Sequence, residues 1–230
     1  MYSSLKYSPV GDRALLVKFG DTIDLDINHN VHAFNGMIQE AKIPGVEECV
    51  PAYASLLVYY NPLKTSYEQM VFTLKDLESS LDTHDAKLET RMIVVPTVYG
   101  GSFGPDLINV AEYHHLTETE IVRLHSEAEY VVYMIGFIVG FPYMGKVPDN
   151  VATPRLETPR LKIPAGSVGI AGNQTGIYPR ESPGGWRIIG RTPLVLFDLS
   201  SEKPVLFQPG DKVRFKPISE KEYEKLGGKP

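Results

Sequence analysis

The most informative part of the chain is residues 164–179, which read PAGSVGIAGNQTGIYP. Glycine or proline interrupts the apolar residues every few positions, a pattern typical of short β-strands joined by tight turns. The pattern continues on both sides and predicts strands at 130–137, 160–163, 167–171, 186–189, 194–197 and 212–215. Strands this short indicate a β-barrel or a β-sandwich.

Residues before about 90 follow a different pattern. Of the 18 prolines only four precede residue 90, and apolar residues at 23, 27, 31, 34 and 38 share one face of a predicted helix. Strands are expected at 14–19, 45–50 and 55–60, and Ser66 with Gln69 predicts a capping box at the start of a second helix. The polar residues 82–87 are expected to be a linker. The sequence therefore predicts an α+β unit followed by a mainly β unit.

Within the second half, a strand is expected at 91–95 and a helical patch at 105–129, with a capping box between Thr117 and Glu120. The last ten residues, 221–230, are polar and are expected to be a frayed tail.

Composition excludes several classes of protein. The charge is −5, with 23 basic and 28 acidic residues, which does not fit a protein that binds nucleic acid or an anionic membrane. Cys49 is the only cysteine, so an intrachain disulfide and a cysteine-rich zinc site are impossible, and no metal site is recognised. The most apolar stretch has 15 residues and contains glycines and a proline, which is too short to cross a bilayer. We expect a soluble cytoplasmic protein.

Residues 140–147, GFPYMGKV, nearly match a phosphate-binding loop. We reject this match because Val147 stands where a hydroxyl should bind Mg²⁺, and because Pro142 lacks a backbone N–H.

Unusual residues are concentrated between positions 136 and 193. One interpretation is a barrel with many tight turns. The other is a pocket with a glycine-rich floor, an aromatic rim, arginines suited to a carboxylate or phosphate, and an amide that can both donate and accept. The candidates for this substrate-binding pocket are Tyr143, Tyr178, Trp186, Arg155, Arg160, Arg191 and Gln174. For each arginine, a structural role in pinning two loops together is an equally good interpretation.

Several motifs in this order resemble those of one family, the KipI or allophanate hydrolase subunit 1 family, which includes the B subunit of 5-oxoprolinase. The motifs are FGPD at 103–106, GFPYMG at 140–145, TPR at 153–155 and 158–160, PAGSVGIAG at 164–172, SPGGW at 182–186 and GRTP at 190–193. The resemblance covers essentially the whole chain. Val139 and Lys146 depart from the family pattern, which usually has proline and glycine at these positions.

The resemblance implies an α+β N-terminal domain at 1–86 and a cyclophilin-like β-barrel of the carboxyltransferase type at 87–220. It implies one component of an ATP-dependent 5-oxoprolinase that opens the 5-oxoproline lactam to glutamate, and this component is expected to be inactive alone. The implied partners are a homologous C subunit (KipA-like) and a LamB/YcsF-like A subunit, and no ATP site is identifiable in this chain. His125, in a matching Leu-His-Ser motif, and Arg191 are the candidate catalytic residues, expected to line one pocket. A helix-capping histidine is the alternative interpretation of His125.

Two other functions stay open at this point. The chain resembles half of the carboxyltransferase domain of urea carboxylase, which implies a carboxyltransferase-type subunit in urea or allophanate metabolism. The KipI relationship implies a protein without catalytic activity that inhibits a sporulation histidine kinase.

Overall fold

A computed structural model describes residues 5–81 and 90–228. The chain divides into two compact units, Met1–Leu88 and Glu89–Pro230, here called the N-terminal unit and the barrel unit. The linker expected at residues 82–87 lies outside the described residues.

The N-terminal unit is a four-stranded antiparallel sheet with two helices, in the strand order β1-β2-β4-β3. Its elements are β1 (Lys6–Val10), β2 (Ala14–Lys18), α1 (Leu25–Ala41), β3 (Val46–Pro51), β4 (Ser55–Tyr60) and α2 (Tyr67–Glu78). Alternate residues of the two central strands are buried, as period-2 patterning requires of a sheet covered on one face. They share one core with the buried residues of both helices.

Local hydrogen bonds define where these helices begin. The Asp24 carboxylate accepts hydrogen bonds from the backbone N–H groups of Asp26 and Ile27 at the start of α1. The capping box predicted between Ser66 and Gln69 is confirmed at the start of α2.

The barrel unit contains a closed seven-stranded barrel in the order β10-β7-β6-β13-β5-β12-β9, and a two-stranded ribbon of β8 and β11. Its strands are β5 (Met92–Tyr99), β6 (Tyr130–Gly136), β7 (Phe141–Gly145), β8 (Arg160–Ile163), β9 (Ser167–Ala171), β10 (Gln174–Ile177), β11 (Ser182–Gly184), β12 (Arg187–Arg191) and β13 (Lys212–Pro217). Its helices are α3 (Leu107–Tyr113), α4 (Glu118–Glu127) and α5 (Glu220–Lys225). The predicted order of an α+β unit and a mainly β barrel is confirmed.

The barrel closes through strands from both ends of the unit. Strand β13 pairs in parallel with β5, whereas the other neighbouring strands of the barrel pair antiparallel. The interior holds a single large apolar cluster that includes Val95, Met144, Ile170 and Phe215. A sheet closed in this way leaves no free edge, which suits strands too short to stand alone.

Three local expectations are wrong. The helical patch at 105–129 is two helices, because His115 takes a positive φ of 54° between α3 and α4. Residues 194–197 form no barrel strand. The strand before them, β12, already has β5 and β9 as its two neighbours in the closed barrel, and Phe197 makes only an isolated bridge to Val205. The tail does not fray from residue 221, because Ser219 and Glu222 form a capping box for α5 and its Tyr223 is buried against Phe103.

Within the described residues, no helix combines the length and the apolar character needed to cross a membrane.

Candidate functional site

An open pocket in the barrel unit, here called the aromatic pocket, has a volume of about 230 Å³. The β6–β7 hairpin, the loop before β8, the end of β10 and the segment joining β11 to β12 contribute its walls. Four residues predicted for a substrate pocket meet here, together with six that the sequence did not single out. The lining residues are Tyr143, Arg155, Tyr178 and Trp186, and then Phe137, Phe141, Pro159, Pro183, Gly184 and Gly185.

Phe141 is the centre of the aromatic wall. Its ring centroid lies 4.8 Å from that of Tyr143, 5.1 Å from Tyr178 and 5.3 Å from Trp186, and these rings meet at steep angles. A Cβ at position 176 would lie 2.7 Å from Cζ of Phe141, so only glycine lets this ring lie against strand β10. The wall is therefore fixed by packing before any ligand arrives.

Tyr178 lies against the end of β11 and the segment that follows it. A Cβ at position 184 would come within 2.3 Å of the Tyr178 hydroxyl, and a hydrogen bond from the Trp186 backbone reaches that hydroxyl. Burial raises the pKa of Tyr178 to about 12, so it stays protonated at neutral pH. Tyr178 therefore presents a neutral hydroxyl and not an anion.

Arg155 brings positive charge to the aromatic pocket. Its side chain is exposed, and among the described residues no carboxylate lies within ion-pair distance of it. Burial raises the pKa of Tyr143, and the charge of Arg155 partly opposes this shift. An arginine with no internal anion beside an apolar wall is suited to a carboxylate.

Trp186 adds one hydrogen-bond donor. The side chain is 5% exposed, and the structure shows no acceptor for its indole N–H among residues 5–81 and 90–228. Nε1 of Trp186 is not among the fully enclosed unpaired polar atoms of the described residues, and Trp186 lines the pocket, so this donor is available to a ligand there.

Arg160, in contrast, forms an ion pair within the fold. Its guanidinium donates two hydrogen bonds to the buried Asp106 carboxylate, at 2.8 and 2.7 Å, and Asp106 also accepts from the Ile188 backbone N–H at 2.7 Å. This arrangement joins β8, the start of α3 and β12. The loop-pinning alternative fits the observed position of Arg160, and Asp106 is the partner that the sequence did not reveal.

Arg191 and Gln174 are not among the residues that line the aromatic pocket. The Arg191 guanidinium donates from Nε to the Ala165 carbonyl at 2.9 Å. Gln174 lies on β10, opposite Gly145 on one side and Ala171 on the other. Neither side chain contributes to the pocket wall.

His125 is a fully buried residue of the barrel core and not a pocket residue. The Thr175 hydroxyl donates its hydrogen to the Gly169 carbonyl, so Thr175 Oγ1 accepts the Nε2–H of His125 at 3.1 Å. Nδ1 is then the acceptor for the Tyr99 hydroxyl at 2.9 Å. Burial lowers the pKa of His125 to about 3, in agreement with a neutral ring that uses both nitrogens. Neither His125 nor Arg191, which the sequence predicts to line one pocket, lies in the wall of the aromatic pocket.

Metal binding and phosphate binding can also be compared with the structure. Within residues 5–81 and 90–228, no three histidine, cysteine, aspartate or glutamate side chains cluster closely enough to hold a metal ion. Residues 141–145 of the stretch that resembles a phosphate-binding loop form strand β7 of the barrel.

The chain belongs to the family described as carboxyltransferase domain, subdomain C and D, whose model matches residues 5–207. It is 42% identical over 226 residues to the 5-oxoprolinase B subunit of Bacillus subtilis, and the match covers 93% of each chain. The resemblance stated from the motifs is therefore confirmed.

Solved structures agree with this assignment. The crystal structure of the conserved uncharacterized protein PH0987 from Pyrococcus horikoshii is 48% identical, covers 95% of this chain and 100% of that one, and has a TM-score of 0.57. The crystal structure of TTHA0988 has a TM-score of 0.78 at 33% identity; it covers 90% of this chain, which spans 40% of the TTHA0988 chain. A putative urea carboxylase of Emericella nidulans is a more distant relative, 26% identical over 261 residues, and this chain covers 21% of it.

Proposed function

We propose that this chain is the B subunit of an ATP-dependent 5-oxoprolinase. In this role it takes part, with partner subunits in the cytoplasm, in opening the lactam of 5-oxoproline to glutamate. The observation that carries the proposal is the near-complete overlap with the B. subtilis protein, at 42% identity across 93% of both chains. The aromatic pocket supports it, because aromatic walls and one unpaired arginine suit a small ring that bears a carboxylate.

The chemistry explains why ATP is needed. A lactam amide is a poor electrophile, and transfer of a phosphoryl group from ATP to its oxygen makes the ring carbon reactive. Water then attacks this carbon and the ring C–N bond breaks, with a proton going to the nitrogen, to give the acyl phosphate of glutamate. A second water releases the phosphate, so the net products are glutamate, ADP and phosphate. Positive groups are required where charge develops on the phosphoryl and amide oxygens.

The residues of this chain favour a reaction in which a partner subunit binds ATP. The aromatic pocket contains Arg155 as its only arginine among the described lining residues, which is too little positive charge for a triphosphate. The stretch nearest to a phosphate-binding motif is used as strand β7. We therefore expect the chain to be inactive alone and to need a homologous C subunit and a LamB/YcsF-like A subunit.

A carboxyltransferase-type function is the second candidate. It is favoured by the family match and by the relationship to a putative urea carboxylase. The two candidates differ in the co-substrate, because carboxyl transfer needs carboxylated biotin and lactam opening does not.

Reconstitution tests the proposal directly. Purified chain is mixed with the A and C subunits, 5-oxoproline and ATP, and glutamate and ADP are measured. We expect equal amounts of both products from the complete mixture and none when this chain, a partner or ATP is left out. Turnover by this chain alone, or turnover that requires biotin carboxylase, would contradict the proposal.

A further inference from the structure

The aromatic pocket contains an excess of positive charge. Arg160 lies on the strand that follows, and Asp106 neutralises it through two hydrogen bonds. Arg155 has no such partner among the described residues, and its charge acts on Tyr143 and Tyr178 across the pocket. Arg155 is the one charged residue among the described lining residues, and a single positive charge matches a single carboxylate better than a phosphate or a polyphosphate.

The volume of the pocket limits the size of the ligand. A cavity of about 230 Å³ lies below the roughly 300–1,000 Å³ of clefts that hold drug-sized molecules. Its walls are mostly aromatic or proline, so the body of the ligand must be a compact ring with little exposed polarity. The ligand is therefore a small ring with one anionic group.

The aromatic pocket also offers one neutral hydrogen-bond donor. The indole N–H of Trp186 has no acceptor among the described residues, and Trp186 lies in the wall beside Phe141 and Tyr143. A ligand carbonyl is the simplest acceptor for such a group. Arg155 and Trp186 therefore provide for a carboxylate and a carbonyl on the same small molecule.

We propose that the aromatic pocket binds a five-membered lactam carboxylate, 5-oxoproline, with the ring against Phe141, the carboxylate on Arg155 and the lactam carbonyl on the Trp186 N–H. The choice of this molecule over other small cyclic carboxylates rests on the proposed function. The site itself rests on the geometry of the pocket. Arg155 and Trp186 are substrate-binding residues in this assignment.

The chain contains its own reporter for this site, because Trp186 is the only tryptophan. Its fluorescence is measured on the purified full chain during titration with 5-oxoproline, with proline (no lactam carbonyl) and with 2-pyrrolidinone (no carboxylate). We expect a saturable change with 5-oxoproline and affinities at least about tenfold weaker for both analogues, since each leaves one donor of the pocket without its partner.

Matched variants assign the contacts. Arg155→Ala is expected to weaken 5-oxoproline binding by about tenfold to a hundredfold, and Arg155→Lys by less, because it keeps the charge and loses the two-pronged geometry. Arg123→Ala is the control, since Arg123 is an exposed arginine on α4 of the same unit and forms an ion pair with Glu127. The control should bind as wild type does.

The outcomes separate this proposal from the proposed function. Absence of a saturable Trp186 response, or equal binding by Arg155→Ala and Arg123→Ala, overturns the pocket assignment even if the reconstituted complex hydrolyses 5-oxoproline. A response that depends on Arg155, in a complex that never produces glutamate, supports the pocket and overturns the 5-oxoprolinase function. Equal responses to proline and 5-oxoproline overturn the contact between the carbonyl and Trp186.

Discussion

At the scale of single residues, His125 shows that a residue in a family motif can be buried in the core, where the motif alone suggests a catalytic role. Its Leu-His-Ser context resembles the family pattern, which made a catalytic role a reasonable expectation. The structure instead surrounds its ring with Tyr130 and Phe215 and occupies both nitrogens with hydroxyl groups. A histidine in this setting packs within the barrel core and has no surface exposed to solvent.

This burial predicts a pH dependence of stability. Burial holds the pKa of His125 at about 3, against 6.5 for an unperturbed histidine, so between these values the unfolded chain binds a proton that the folded chain does not. Stability is therefore lost as the pH falls below about 6.5, and linkage gives a loss of about 2 kcal/mol between pH 7 and pH 5. Urea unfolding followed by Trp186 fluorescence measures it at both pH values.

The control is His125→Gln, which keeps every other titrating group. Its free energy of unfolding should be lower than that of wild type at pH 7, since the hydrogen bonds change, but it should fall by about 2 kcal/mol less between pH 7 and pH 5. If wild type and variant lose the same stability over this interval, the neutral, buried histidine is contradicted.

Arg160 and Arg155 lie five residues apart and differ in their partners, because Asp106 pairs with Arg160 and, among the described residues, no carboxylate pairs with Arg155. Asp106 is 2% exposed, so Arg160→Ala would leave a buried carboxylate without its cation. We expect a loss of about 2–3 kcal/mol, less than for a fully buried pair because the guanidinium is partly exposed. Arg155→Ala should change stability by less than about 0.5 kcal/mol. Chemical unfolding of both variants checks this, and equal losses would contradict the division of roles.

At the scale of elements, structural features that depend on a few neighbouring residues, such as helix caps, could be predicted from the sequence. The capping boxes at Ser66 and Thr117 are both present, because a cap depends on two side chains three positions apart. Ser219 and Glu222 follow the same rule. The helix they begin was missed because its surroundings are polar, and its buried anchor, Tyr223, packs on a residue 120 positions earlier, Phe103.

Strands β7, β10 and β11 could not be predicted because they contain glycine and proline where strand propensity asks for β-branched residues. Gly176 is required by the ring of Phe141, which lies far away in sequence. The same limit applies to the site. Aromatic and arginine residues near 143–186 were recognised as a group, but the pairing of Arg160 with Asp106 depends on a contact between residues 54 positions apart.

At the scale of the whole molecule, all seven strands that close the barrel belong to the barrel unit. Strand β5 begins the unit and pairs in parallel with β13 near its end, from Met92 opposite Lys212 to Thr97 opposite Pro217. Arg91 and the buried Asp211 form an ion pair at the start of this seam. The unit also has its own apolar core. The aromatic pocket lies entirely within it.

This closure predicts that residues 90–228 fold without the N-terminal unit. The isolated fragment should unfold cooperatively on heating and keep the Trp186 emission of the full chain, because Trp186 and the rings around it all belong to the barrel unit. A second fragment, residues 90–211, is the control: it lacks β13 and α5 and leaves the edges of β5 and β6 unpaired. We expect this shorter fragment to show a red-shifted emission and no cooperative transition. If both fragments behave alike, or if the longer fragment has lost the native emission, the strands that close the barrel are not sufficient for its stability.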